Sequence, residues 1–155
     1  MKKKLFAIIP ALVLLCSCED RLNIIFEDYY VCIKDETESA ASTVKSSVDN
    51  YVATYYITLV SPILESPLTV YYDVVVGSGL KEHVDYELQS DKNYVTIARG
   101  IWKMPVRIKY LKNPVDETKE NTITIRLKGC SDDSINIGYP GPSAKFSTHV
   151  VTKIN

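Results

Sequence analysis

The sequence predicts an all-β protein, an antiparallel sandwich of about seven or eight short strands around one core. Three observations predict it. Apolar and polar residues alternate with a period of two in several separate segments, the pattern of strands with one buried and one wetter face. Clusters of Gly, Pro, Asn and Asp separate those segments at the spacing of short strands joined by turns. No segment shows a helical period with a cap. Composition agrees, because 46% hydrophobic and 24% charged residues in a 155-residue chain is ordinary globular usage for a single domain. Eleven Tyr with many β-branched residues favour pleated, half-buried strands.

The first predicted strand covers residues 29–33, with Tyr29, Val31 and Ile33 on one face and Cys32 on the other. Residues 34–42 are small and polar and read as loop, and 43–48 as a short edge strand. Residues 51–60 form the clearest early strand, with Tyr51, Ala53, Tyr55, Ile57 and Leu59 on one face and Thr54 and Thr58 on the other. Pro62 and Pro67 bracket a turn, since proline cannot donate to a ladder. Residues 68–76 follow, with Leu68, Val70, Tyr72, Val74 and Val76 inward and Asp73 outward, and Gly77-Ser78-Gly79 breaks the run. Asp85-Tyr86 has the look of a buried pair. Residues 94–98 form a short strand ending at Arg99-Gly100. Residues 105–111 place Val106, Ile108 and Tyr110 inward and Arg107 and Lys109 outward. Residues 121–128 alternate without exception, Ile123, Ile125 and Leu127 against Thr122, Thr124, Arg126 and Lys128. Residues 138–142, Gly-Tyr-Pro-Gly-Pro, form a rigid loop. Residues 145–154 close the chain, with Phe146, Val150 and Ile154 expected inward and His149 outward.

The amino terminus carries a different message. Lys2, Lys3 and Lys4 precede an apolar run over residues 5–15, too short to span a bilayer as a helix, which ends in Leu15-Cys16-Ser17-Cys18. This resembles a bacterial lipobox, in which a small residue precedes the Cys that is diacylated. The resemblance implies a signal peptide over residues 1–17, an acylated Cys18, a tether over 18–28 and a sandwich domain over 29–155. Two or more acyl chains hold a protein on a membrane without a spanning helix. Glu19 and Asp20 resemble the short surface-export signal of Bacteroidota lipoproteins, which implies an outer-membrane, cell-surface address; a solvated linker is the plainer reading of the same residues. Without residues 1–17, Lys and Arg fall from 18 to 15 while Asp and Glu stay at 19, a net charge of −4. That argues against a nucleic-acid binder, which needs a basic footprint. Cys32 and Cys130 remain. An oxidising compartment permits a disulfide between them, but sequence leaves their distance open, and two separate half-buried thiols are expected.

The order Asp85-Tyr86, Val95-Thr96-Ile97-Ala98-Arg99-Gly100, Val106-Arg107-Ile108, an acidic turn up to Glu120 and a strand over 121–127 is similar to the Calx-β type of immunoglobulin-like sandwich, and to related domains of unknown function in Bacteroidota surface lipoproteins. The similarity covers residues 68–154. Members of that family often bind calcium through acidic loops at one end. Here Leu111-Lys112-Asn113 stands where an Asp-Asp pair would follow a strand, and residues 43–48 lack the early Glu. Asp116, Glu117 and Glu120 remain, diluted by Lys119. Calcium wants six to eight oxygen ligands, so no metal site is expected and the turn reads as a solvated one.

No nucleophile with a tuned base is legible. His83 and His149 stand alone, without ligand spacing, and no P-loop, nucleophile elbow or paired-Cys motif is present. The expectation is a binding or adhesion module that is not an enzyme and uses no cofactor, with a glycan or protein ligand. The alternative is a structural accessory subunit of an outer-membrane, glycan-utilising uptake complex. Trp102, in a turn after Gly100, is the first candidate contact, since an exposed indole supplies large area at low entropy cost; it could equally fold over the end of the core. Tyr139, held between Gly138 and Pro140, is the second. Tyr30, Tyr56 and Tyr71 fall on the wetter faces of their strands, as an outer patch or as cross-strand pairs.

Overall fold

A computed structural model describes residues 28–155. The signal peptide, Cys18 and all but the last residue of the tether lie outside the described residues. Ten strands follow one another: β1 (Tyr30–Asp35), β2 (Ala41–Lys45), β3 (Tyr51–Val60), β4 (Leu68–Val76), β5 (Tyr86–Leu88), β6 (Tyr94–Ile97), β7 (Lys103–Tyr110), β8 (Thr122–Cys130), β9 (Asn136–Ile137) and β10 (Thr148–Ile154). They make two five-stranded sheets, ordered β5-β7-β3-β1-β9 and β2-β10-β8-β4-β6, called here sheet A and sheet B. There is no helix among the described residues. The fold is the predicted sandwich. The strand count exceeds seven or eight because β5 and β9 are only three and two residues long. Pairing is antiparallel except at two edges, where β9 runs parallel to β1 and β2 parallel to β10.

The clear alternations become the core. Ala53, Tyr55, Ile57 and Leu59 of β3 face Leu68, Val70 and Tyr72 of β4, with Val106, Ile108 and Tyr110 of β7 and Ile123, Ile125 and Leu127 of β8. Each buried side chain of this size contributes about 1.5–3 kcal/mol relative to exposure. The Tyr55 and Tyr110 hydroxyls satisfy each other at 3.0 Å inside the core. Burial raises both phenols above their ordinary range, Tyr110 the more strongly, so each stays protonated and available as a donor.

Two expectations about faces are corrected. On β10 the inward residues are His149, Val151 and Lys153, not Phe146, Val150 and Ile154. A strand has only two faces, so the placement of Lys153 decides the whole strand. Its ammonium lies 3.0 Å from Asp85 Oδ1, 3.0 Å from the Leu111 carbonyl and 3.3 Å from the Asp85 carbonyl, which gives its three protons partners. Phe146 lies before the strand, at φ 61°. The other correction concerns Cys32. It does sit opposite Val31 and Ile33, but it is buried rather than half-buried. Tyr139 packs on Tyr30 and Phe146 on Lys34, the side chains two residues before and after Cys32, and this closes the outer face over the thiol. Cys32 and Cys130 are both free, Cys130 donating toward the carbonyl of Asp132.

Asp85 is the anchor of one end. Its Oδ2 accepts from the Lys81 amide at 2.9 Å, its Oδ1 from Asn113 Nδ2 at 2.9 Å and from Lys153, and its carbonyl from the Leu111 amide. Burial alone would raise its carboxyl, but the bonds from Asn113, Lys81 and Lys153 outweigh that and hold it below the ordinary carboxylate value. Its contribution to stability is therefore complete above about pH 4 and is lost as pH falls through the folded value. Leaving one member of a buried pair alone costs roughly 3–5 kcal/mol. Lys153→Ala or Asp85→Ala should each lower the unfolding free energy by about that much in urea titrations, whereas Lys153→Met combined with Asp85→Leu should recover most of the loss.

Candidate binding surface

Period two sends the even residues of β3 and the odd residues of β7 to the outer face of sheet A, and registry with β1 completes it. Tyr56 pairs with Lys34 on one side and Pro105 on the other; Thr58 pairs with Cys32 and Lys103; Thr54 pairs with Arg107; Val52 pairs with Lys109. Cations and rings alternate across this face. Lys103 Nζ stands 4.6 Å over the Tyr56 ring, and Lys34 Nζ stands 4.9 Å over the Phe146 ring. Each such contact stabilises by about 0.5–1 kcal/mol where exposed. Lys34 also binds Glu38 at 3.0 Å and Lys109 binds Glu87 at 3.2 Å. Lys103 and Arg107, both exposed, have no carboxylate within salt-bridge distance among the described residues. The face therefore offers rings for stacking and unspent positive charge for an anion.

Tyr139 belongs to this surface. Its ring meets Tyr30 edge-on at 5.2 Å and remains 52% exposed. It is held because Gly138 donates to the Val31 carbonyl and Tyr139 to the Lys145 carbonyl, which fastens the 138–147 loop along β1. Gly138 needs its φ of 79° and has the Ala144 carbonyl where a Cβ would project.

Trp102 is elsewhere. Its carbonyl accepts from Leu59 at 2.8 Å, so it sits opposite Leu59, on the core side of the pleat, but past the end of the core. The indole is 43% exposed. Trp102 and Tyr139 therefore do not form one platform. Tyr71 is separated too, because it pairs in register with Tyr94, ring centres 6.3 Å apart, on the outer face of sheet B. Of the three strand tyrosines, only Tyr30 and Tyr56 share the face with Tyr139. Sequence reasoning passed over Lys34 and Lys103, and it read Phe146 as a core residue of the last strand. The signal was present for the lysines: Lys103, Arg107 and Lys109 share one parity on β7, as do Tyr30 and Lys34 on β1.

His149, expected outward, is buried against the Tyr55 ring, centres 4.7 Å apart. The Ser39 carbonyl, 3.1 Å away, can only accept, so Nδ1 carries the proton and Nε2 accepts from the Ser42 hydroxyl at 3.0 Å. Ser42 lines a cavity of about 290 Å³ with Asp35, Thr37, Tyr51 and Tyr55. Both imidazole nitrogens are committed to holding residues 39–42 against β10, which makes the pair a structural lock. His83 lies in the loop before β5, with a φ of 65°.

The acidic loops are built alike. Asp35, Asp116 and Asp132 each accept from the amide and hydroxyl of the Thr or Ser two residues on, at Thr37, Thr118 and Ser134. These carboxylates cap their own turns. Lys119 stands 3.6 Å from the other oxygen of Asp116. Among the described residues, no three His, Cys, Asp or Glu side chains gather as metal ligands would.

Burial pushes the His149 imidazole below its ordinary value, against the opposing influence of Asp35 and the Ser39 carbonyl. A histidine kept neutral by folding contributes stability that is complete above about pH 6.5 and drains away as pH falls through the folded value. The melting temperature should therefore drop as pH is lowered from about 7 toward 5, and His149→Gln should flatten that part of the curve. A wild-type curve already flat over this range would contradict the buried neutral imidazole.

No protein-family model matches the chain, and no curated protein matches it. Solved structures do. Calx CBD12 superposes with a TM-score of 0.55 at 15% identity, over 82% of this chain and 44% of that one, so the chain spans less than half of its length. The apo-form Calx CBD1 domain gives a TM-score of 0.50 at 15% identity, over 81% of this chain and 99% of that one. EndoBT-3987 of Bacteroides thetaiotamicron, solved with a Man5GlcNAc product, gives 0.53 at 12% identity, over 78% of this chain and 30% of that one. The fold is Calx-β-like, as the order of strands and turns implied.

Proposed function

We propose that the chain is a lipid-anchored, extracytoplasmic binding module without catalytic activity, and that the outer face of sheet A is where it binds. The observation that carries this is the row Lys103, Tyr56, Lys34, Phe146, continued by Tyr30 and Tyr139. A protruding tyrosine beside alternating rings and cations matches a ligand with flat apolar faces and negative charge, which an acidic glycan has. A protein ligand would need a larger apolar centre than this face offers. The anchor rests on the lysines, the short apolar run and Cys18, and Glu19-Asp20 supports an outer-membrane, cell-surface address.

The second reading is an accessory subunit of a glycan-uptake assembly. It draws on the presence of the same fold inside EndoBT-3987, a much longer chain solved with a glycan product. Such a subunit would co-purify with partner proteins and would not retain glycan by itself.

A glycan array that includes uronate- and sulfate-bearing polysaccharides tests the first reading. Binding should fall tenfold or more in Tyr139→Ala and in Lys103→Glu, a loss of about 1.4 kcal/mol, while Tyr71→Ala on the opposite sheet leaves it unchanged. Binding confined to neutral glycans, or indifferent to these residues, would sink it. Cys18→Ala should release the protein from membranes into the soluble fraction, and a variant that stays bound would show that the anchor is not the acylated Cys.

A further inference from the structure

The connections at one end of the sandwich share an unusual composition. Registers place them together: Tyr30 opposite Val60 and Asn136, Thr58 opposite Lys103, Leu68 opposite Ile97, and Val70 opposite Cys130. The β3–β4, β6–β7 and β8–β9 loops therefore emerge at the end where the chain enters β1. This end presents Ile63, 62% exposed, Ile101, 45% exposed, and Trp102. Ile63 is the most exposed of the large apolar side chains among the described residues. Ile101 is not on a loose loop. Its amide donates to the Ala98 carbonyl at 3.0 Å, Gly100 takes a φ of 78°, and Trp102 is fixed through its carbonyl to Leu59. The turn thus leaves an isoleucine and an indole partly in water, where a polar turn would cost nothing.

Ten residues, Glu19 to Asp28, separate Cys18 from Tyr29. Fully extended they reach about 33–36 Å. That reach is about the length of the ten-residue β3, so an acylated Cys18 would join the domain at this end, and the side chains exposed there decide which end meets the bilayer. We propose that the end bearing Ile63, Ile101 and Trp102 seats on the lipid surface. The proposal rests on the anchored reading above. Indole rings favour the headgroup boundary, where the apolar body is buried and the N–H stays solvated, and the exposed isoleucines at the same end enter the acyl edge. Arg99, exposed beside the turn, meets lipid phosphates. Of the acids at this end, Glu65, Asp132 and Asp133 line a depression with Leu64, Ser66, Pro67, Leu68 and Ser131, and Asp28 lies where the chain enters β1, so the β6–β7 turn and Ile63 descend while that depression stays in water. The tether makes the contact intramolecular, and a weak intrinsic affinity suffices. Seated this way, the sandwich stands upright, and the outer face of sheet A is turned sideways, clear of the membrane.

Trp102 is the only tryptophan in the chain, so its emission reports on this corner alone. The full-length lipidated protein should be reconstituted in phosphatidylethanolamine–phosphatidylglycerol vesicles, floated, and compared with vesicles containing brominated lipid. The expected result is co-flotation with a blue-shifted emission that brominated lipid quenches, and loss of that quenching in Ile63→Ser combined with Ile101→Ser, which still floats. A protein that floats but keeps a water-like, iodide-accessible emission overturns the seat and leaves the anchor standing. Emission that is blue-shifted yet indifferent to brominated lipid means burial in protein, within the domain or against a second copy, and overturns it as well. A protein that does not float removes the anchor and the proposal together.

Discussion

The buried pair of Asp85 and Lys153 is the constraint on which much of the rest depends. A charge inside a sandwich survives only when its partners are complete, and here each group is saturated. Asp85 collects Lys81, Asn113 and Lys153, while Lys153 adds the Leu111 carbonyl. The pair ties sheet B's β10 to the segment entering sheet A's β5. It also fixes which side of β10 is inside. Once Lys153 points inward, Val151 and His149 must follow, and Val150 and Ile154 must face outward. The Ser42–His149 lock over residues 39–42 is thus a consequence of a contact made four residues away.

The same logic of two faces divides the surface into separate regions. Sheet A's outer face gathers cations and rings because β1, β3 and β7 pair in a register that aligns Lys34, Tyr56 and Lys103. Sheet B's outer face carries threonines, Val150, and the Tyr71–Tyr94 pair, which is a cross-strand contact of the ordinary kind. The end where the chain enters carries Ile63, Ile101 and Trp102. Acidic side chains are concentrated in the loops, where Asp35, Asp116 and Asp132 cap turns. One oxygen of each carboxylate accepts from the next Thr or Ser, and at Asp116 Lys119 stands beside the other.

Reading the chain before folding it worked where alternation was strict. The inward faces of β3, β4, β7 and β8 follow directly from Ile57, Val70, Ile108 and Ile125 and their neighbours, since apolar burial dominates when one face is plainly apolar. It failed on β10, where the apolar parity, Phe146, Val150 and Ile154, was the wrong one. Two polar residues with complete partners outweighed it, and those partners lie 68 and 107 positions away in sequence. Burial of Cys32 was equally out of reach, because it depends on a loop more than a hundred residues later folding back along β1.

The sequence by itself determined the class of fold, the order of its parts and the core of four strands. All of these are local patterns, set by pleat geometry and turn chemistry. Only the tertiary structure decided which exposed aromatics belong together. Trp102 and Tyr139 looked alike in sequence, each a ring in a turn beside glycine. Strand register sends one past the end of the core, near the entering chain, and fastens the other to a face of cations and rings. Register is a property of pairs of strands, and no single strand contains it.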